Sequence, residues 1–279
     1  PWDRLPAGAH RLEGGPTGGG VKPDSCTPLS CGVKTAALTL AIEVSNPSAA
    51  HEGSGPGVTV GRVGSDHIEV LGVEMLRSKR RHDDDLMPAI ERLWSQLASA
   101  GLIGDKREID RVAVSVGPGG FTGLRVAVVA GKMIAEVTGA LCVGVPSACV
   151  VARRAGSDLP TPFGVALASK KESSVVMVFD GPTQVVRLSE PGGAHEYGHV
   201  IEADTLEALG VRGLIADRFL PESMRTRCSE LGIRIDEPVF DPVACLEASA
   251  AFKEVAPIEL VPMYGREPEA VRKWRELHG

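Results

Sequence analysis

The tightest constraint on this chain's architecture is an abrupt change of character between residues 112 and 138. The apolar run Val112-Ala-Val-Ser-Val116 empties into Gly117-Pro118-Gly119-Gly120, and an apolar helical stretch opens at Phe121 with no polar linker between them. A strand without polar alternation is buried on both faces, as in a sheet covered by helices. A loop this rich in glycine lets backbone approach backbone closely, or lets a helix N-terminus meet an anion. The segment therefore demands an α/β sheet in which strand 112–116 is followed directly by helix 121–138.

The rest of the chain extends that pattern. LTLAIEV (38–44), VTVGRV (58–63) and HIEVLGVEML (67–76) read as three strands joined by short Gly/Ser/Pro links, an antiparallel meander. Apolar residues at 86, 87, 90, 93, 94 and 97 mark an amphipathic helix over Asp83–Ala100. After helix 121–138 come a strand LCVGV (141–145) and a helix from near Pro146. The theme then repeats in strands FGVALAS (163–169), SVVMVFD (174–180) and TQVVRL (183–188), a short helix Ala203–Leu209, strand GLIAD (213–217), and helices Pro221–Leu231 and Asp241–Val255. Two halves of this order predict a duplicated ribonuclease-H-like fold, that of the actin-like and sugar-kinase-like ATPase superfamily. The expected organisation is a Gly/Pro-rich tail at 1–35, a first half at 36–155 carrying the glycine loop, and a second half at 156–279.

Composition narrows the function. Hydrophobic residues make up 43% of the 279 residues but aromatics only 4%, so the core is expected to consist of Val, Leu, Ile and Ala. A net charge of −6 argues against a free-standing nucleic-acid binder, which needs clustered cations facing the phosphates. The dense basic run RSKRRHDDD (77–85) is neutralised by its own aspartates, which suit the start of a helix. No segment approaches the roughly 18 apolar residues of a membrane span, so the expectation is a cytoplasmic protein without a membrane partner. The cysteines at 26, 31, 142, 149, 228 and 245 form no CxxC pair and read as reduced thiols, with no metal site at Cys26 and Cys31.

The glycine loop lacks the GxxxxGK[ST] pattern, and no acidic residue ends the next strand, so neither a Walker loop nor a dinucleotide fingerprint is present. Phosphate handling and close packing both remain open. Beyond the loop, Gly123, Ala127, Gly131, Ala135 and Gly139 recur every fourth residue, leaving one helix face nearly bare. That stripe suits a close neighbour, either the chain's own sheet or another subunit.

GPGGFTGLRVAVVAGKMIAEVTGALCVGVPS resembles the GPGSFTGLR segment of the TsaB-type (YeaZ-like) proteins of bacterial tRNA threonylcarbamoyladenosine biosynthesis. LAIEVS (40–45) is similar to that family's opening strand, His82 with Leu86 and Pro88 to its H-x-x-x-L-x-P helix start, and VPMYGREPEA (261–270) to its P-x-Y-x-R closing segment. The resemblance implies a noncatalytic subunit with a loop site at Gly117, Pro118, Gly119, Gly120, Phe121, Thr122, Gly123 and Arg125. It implies a partner surface involving the small-residue stripe, His82 and Leu86. The implied partners are a catalytic threonylcarbamoyltransferase subunit bearing an HxxxH motif, a small P-loop ATPase and, through the complex, tRNA, with a homodimer as the alternative association. No cofactor of its own is implied, only ATP or ADP at the contact with the catalytic partner.

Two departures bear on chemistry. The family's Asp-Thr-Ser after the opening strand is replaced by Glu43-Val44-Ser45, and its Asp-Ala-Arg in the second half by Ala168-Ser169-Lys170, which keeps a base and loses the acid. Where the related catalytic subunit carries HxxxH, this chain has Ser147 to Val151, which cannot bind a transition metal in that manner. The alternative functions are an ATP-hydrolysing or kinase-like enzyme of the same fold, for which Glu43 alone supplies an acid, and a zinc peptidase. The latter would use HEYGH (195–199), matching HExxH, but SEPGGA before it and a strand-like HVIEA after it argue for a loop.

Overall fold

The computed structural model describes residues 36–46, 55–77, 82–105, 108–186, 198–265 and 269–278. The expected tail at 1–35, with Cys26 and Cys31, and most of HEYGH lie outside the described residues. The first sheet contains β1 (Ala37–Glu43), β2 (Gly57–Val63), β3 (Ile68–Met75), β4 (Arg111–Gly117), β5 (Leu141–Pro146) and the returning strand β12 (Glu254–Val255), in the order β12-β5-β4-β1-β2-β3. The meander β1-β2-β3 is antiparallel, whereas β4 runs parallel to both β1 and β5. Helices α1 (His82–Ser99), α2 (Phe121–Thr138) and α3 (Ser147–Ala152) make the crossovers.

The second sheet repeats this order. Strands β6 (Phe163–Lys170), β7 (Ser173–Phe179), β8 (Val185–Val186), β9 (His199–Glu202), β10 (Gly213–Ala216) and β11 (Arg234–Asp236) stand as β11-β10-β6-β7-β8, with β9 also paired to β7. Again the first pair is antiparallel and the later strands are parallel. The protein has a duplicated α/β fold of the actin-like type, as the sequence predicted. The sequence reading extended a helix to Val255. The structure ends α5 (Pro242–Ser249) earlier, because residues 254–255 pair with the exposed edge of β5 instead. The three-residue β11 went unpredicted, being too short to show a period.

Strand alternation distributes the core. Leu38, Leu40 and Ile42 of β1 face α1 and α2, packing with Leu86, Leu93, Ala127 and Ala135. Ala41 points the other way, into a layer between the sheets shared with Val145, Phe163, Leu167, Cys245 and Leu246. Two-residue periodicity therefore delivers Glu43 to the inter-sheet side, beneath α5. A third cluster around Leu206, Leu214 and Met224 covers the far face of the second sheet with α4 (Glu222–Leu231). No helix among the described residues is long and apolar enough to cross a membrane.

Candidate functional site

The parallel strands end together, and the glycine loop begins where they end. In open α/β sheets the crevice outside the carboxyl ends of the strands is the usual place for a ligand. Here the ends of β1 and β4 are bonded to one another through the loop. Gly120 donates its N–H to the carbonyl of Ser45 at 2.6 Å, and the Asn46 amide donates to the Pro118 carbonyl at 3.3 Å. A Cβ on Gly119 would collide with the Ser45 carbonyl oxygen, so this approach demands glycine. Gly117 lies in the left-handed region at φ +114°. The glycines thus serve close packing, one of the two roles the sequence left open.

Glu43 underlies this joint. It is fully buried, and its Oε1 accepts hydrogen bonds from the Ser45 N–H at 2.8 Å and the Ser45 hydroxyl at 2.6 Å. Among the described residues its Oε2 is buried without a hydrogen-bond partner. Burial pushes the Glu43 carboxyl above the usual range, against the two bonds from Ser45 that pull it down, while the Asp241 charge adds to the rise. Burial in an apolar layer disfavours the charged form of such a group. Ser115 and Ser147, also buried, share a hydrogen bond of 2.9 Å at the ends of β4 and β5.

Above the loop, the C-terminal segment closes back on α2. Met263 donates its N–H to the Val116 carbonyl at 2.7 Å. The Arg125 guanidinium lies over the Phe121 ring, 3.7 Å from its centroid, and its Nε donates to the Tyr264 hydroxyl at 2.9 Å. Phe121 and Tyr264 rings stand 5.3 Å apart. Arg125 pairs with no carboxylate among the described residues. A cleft of about 330 Å³ opens beside this group, lined by Pro118, Gly119, Phe121, Met263, Tyr264 and Gly265 on one side and Ala168, Ser169 and Lys170 of β6 on the other. Ala168 adopts φ +51°, a conformation that costs an alanine about 1–2 kcal/mol. Helix α2 starts without a side-chain cap and with no acidic residue in its first turn, so its positive end is uncompensated. The arrangement offers flat aromatic surface, two cations and a helix N-terminus, a combination suited to a planar anionic ligand.

Part of the expected partner surface lies inside the chain. Ala127 and Ala135 are buried against the first sheet, and a Cβ on Gly131 would stand 2.6 Å from Val114 Cγ2. Leu86 is fully buried in the same cluster. The small residues let α2 settle closely on its own β4. Gly123 is half-buried and Gly139 is the left-handed C-cap; His82 starts α1. The opposite face of α2 carries large apolar side chains in the open, with Val129, Met133 and Val137 all more than half exposed.

His195 lies outside the described residues. His199 sits in β9 opposite Val176, an extended strand rather than the helix that HExxH chemistry requires. Among the described residues no cluster of three or more His, Cys, Asp or Glu is arranged to hold a metal. Cys142, Cys149, Cys228 and Cys245 are buried free thiols, and burial pushes Cys142 up to about 11 and Cys149 to about 12. Such thiols pack and do not react. The sequence pointed to the loop, Arg125 and, through the closing segment, Tyr264. It gave no sign that Tyr264 bonds Arg125, or that Asn46, Ser115 and Ser147 gather beneath, since no spacing links them.

Fold and site define an actin-like duplicated scaffold with a glycine-loop joint at the strand ends. A family model described as TsaD, tRNA N6-adenosine threonylcarbamoyltransferase, matches residues 67–192. Among solved structures, the chain is similar to an uncharacterized protein with similarity to peptidase YEAZ from Pseudomonas aeruginosa, at 16% identity and TM-score 0.57, covering 82% of this chain and 100% of that one. It is also similar to YeaZ from Pseudomonas aeruginosa, at 15% identity and TM-score 0.52, covering 82% of this chain and 99% of that one. No curated protein matches in sequence. In fold the chain is similar to the YeaZ structures.

Proposed function

We propose that this chain is a noncatalytic subunit of the machinery that places a threonylcarbamoyl group on the adenosine beside the tRNA anticodon. One observation carries the reading. The TsaD-type family match runs through β5 and α3, yet the position expected to hold the HxxxH metal ligands of a catalytic subunit is Ser147 to Val151, all buried, with Ser147 bonded to Ser115. Chemistry is then left to a second polypeptide that carries those histidines. The exposed apolar faces of α1 and α2 supply the surface for pairing with it, a small P-loop ATPase resets the complex, and tRNA is met through the assembly in the cytoplasm.

In this reading the cleft between the glycine loop and Lys170 takes part of an adenine nucleotide at the contact with the catalytic subunit. Phe121 and Tyr264 offer ring surface, and Arg125 and Lys170 offer charge to phosphate.

Reconstitution tests the proposal. This chain, the HxxxH-bearing subunit and the P-loop ATPase of the same cell are combined with threonylcarbamoyl-adenylate, ATP and unmodified tRNA, and the modified nucleoside is quantified by mass spectrometry. Product is expected only when this chain and the catalytic subunit are both present, and Arg125→Ala is expected to lower its rate by about tenfold or more. Magnesium-dependent ATP turnover or peptide cleavage by this chain alone would favour the enzyme readings instead.

A further inference from the structure

A short run of hydrogen bonds connects the buried Glu43 carboxyl to the wall of the cleft. Glu43 Oε1 accepts from the N–H and the hydroxyl of Ser45. The Ser45 hydroxyl accepts in turn from the Asn46 amide at 3.1 Å, and that amide also donates to the Pro118 carbonyl. The Ser45 carbonyl takes the Gly120 N–H. Pro118 and Gly119 line the cleft, so Ser45 and Asn46 are all that separates the carboxyl from that wall. The route has little slack. Glu43 and Ser45 are fully buried, and the loop passes too close to the Ser45 carbonyl at Gly119 to shift inward.

The surroundings make this carboxyl sensitive to its proton. On one side β2 places Gly57 opposite Glu43, and on the other β4 brings Ser115, which is bonded to Ser147 of α3. Helix α5 contributes the titratable groups, Asp241 at its N-cap and Cys245. Asp241 faces Glu43 with like charge, while Arg154 binds both Asp241 and Glu247. The Cys245 thiol, 3.8 Å from the Ile42 carbonyl, is held neutral by its burial. Among the described residues no salt bridge reaches Glu43, and its Oε2 has no hydrogen-bond partner. A protonated Glu43 leaves one O–H unpaired, whereas an ionised one leaves a buried charge near Asp241, which costs more. The charge is relieved when water enters or the carboxylate turns toward the end of the strand, and either movement disturbs the bonds that fix Ser45.

We propose that Glu43 is a positioning residue for the cleft: its proton keeps Ser45 locked to the glycine loop, and loss of that proton to solvent frees Pro118 to Gly120 and weakens the hold on a nucleotide. The nucleotide rests on the reading of the cleft given under Proposed function; the proton-dependent lock does not.

The test is amide hydrogen exchange of the full chain between about pH 4.5 and about pH 9, corrected for the intrinsic rise of exchange with pH, together with the carbon NMR signal of the Glu43 carboxyl. The Gly120 amide is expected to lose protection by about tenfold or more, with the same midpoint as the carboxyl signal. Amides of β10 should keep theirs, since global unfolding would expose both. Glu43→Gln retains an acceptor for Ser45 and cannot ionise, so its Gly120 protection is expected to stay level. ADP binding to the same samples should weaken by about threefold or more across that midpoint in the parent and remain constant in the variant. Gly120 protection that ignores pH, a loss with a different midpoint from the Glu43 signal, or an equal loss in Glu43→Gln overturns the lock. Were Glu43→Gln unable to fold, agreement of the two midpoints in the parent decides the matter. ADP affinity that does not follow the midpoint overturns the positioning role, and ADP that fails to bind at any pH counts against the nucleotide reading while exchange still judges the lock.

Discussion

Ser45 and Gly120, 75 positions apart, are joined by a backbone hydrogen bond of 2.6 Å that ties the end of β1 to the entry of α2. Both ends of the joint are confined. Ser45 is held from below by Glu43, and Gly119 passes so close to the Ser45 carbonyl that only a residue without Cβ fits.

Gly119→Ala should break this joint. The added methyl has no space without displacing the Ser45 carbonyl, and overpacking of this kind costs about 2 kcal/mol. Thermal unfolding is expected to fall by roughly 4–8 °C, and amide exchange at Gly120 to accelerate. An unchanged melting temperature with a protected Gly120 amide would show that the joint yields freely.

Glu43 gives a pH signature. Its folded pKa is raised above the ordinary 4.5, so folding takes up a proton once pH exceeds that value. The stabilisation is complete below 4.5 and is lost as pH rises through the folded pKa. Glu43→Gln keeps an oxygen for Ser45 and cannot ionise. Its unfolding free energy relative to the parent should therefore increase with pH above about 4.5. Denaturant titrations at several pH values check this, and a difference independent of pH would refute it.

Asp85 has the opposite sign. It accepts from both Arg92 terminal nitrogens at 3.1 Å and from the Arg77 amide at 2.7 Å, while Arg92 Nε reaches Glu74 at 2.6 Å. The Arg92 hydrogen bonds hold the Asp85 carboxyl below its ordinary 3.8, so its contribution is present above 3.8 and disappears as pH falls through the folded value. Asp85→Asn should cost about 2–3 kcal/mol at neutral pH, with the gap to the parent closing in acid. Chemical denaturation at neutral and acidic pH measures both.

The two faces of α2 should respond differently to substitution. Gly131→Leu drives a side chain into Val114 and Leu260 and is expected to cost about 3 kcal/mol or to prevent folding. Val129→Ser, on the exposed face, should change stability by less than about 0.5 kcal/mol. Equal tolerance at both positions would contradict the inward placement of the stripe.

How much was legible beforehand depends on the range of the interactions. Helix 121–138 was read to its last residue because its start is punctuated by glycines and its end by Gly139, both local signals. Strands β1, β4 and β6 showed as apolar runs. In contrast, β12 was read as helix, since two residues carry no period and only the free edge of β5 makes them a strand. Leu86 and the stripe from Ala127 to Ala135 were legible as a feature but not in direction, because a bare helix face suits an internal sheet and an external partner equally well.

The order of apolar runs, glycine breaks and helical periods determined the duplicated α/β scaffold from sequence alone, for each is written in contiguous residues whose side chains select a local backbone geometry. What the tertiary structure decided is which distant groups meet: Arg125 with Tyr264, 139 positions later, the buried Glu43 with the Asp241 charge, and α2 with β4 through its smallest residues. Those meetings depend on strand order and crossover geometry, and no one-dimensional spacing encodes a contact formed only when two sheets close over a common core.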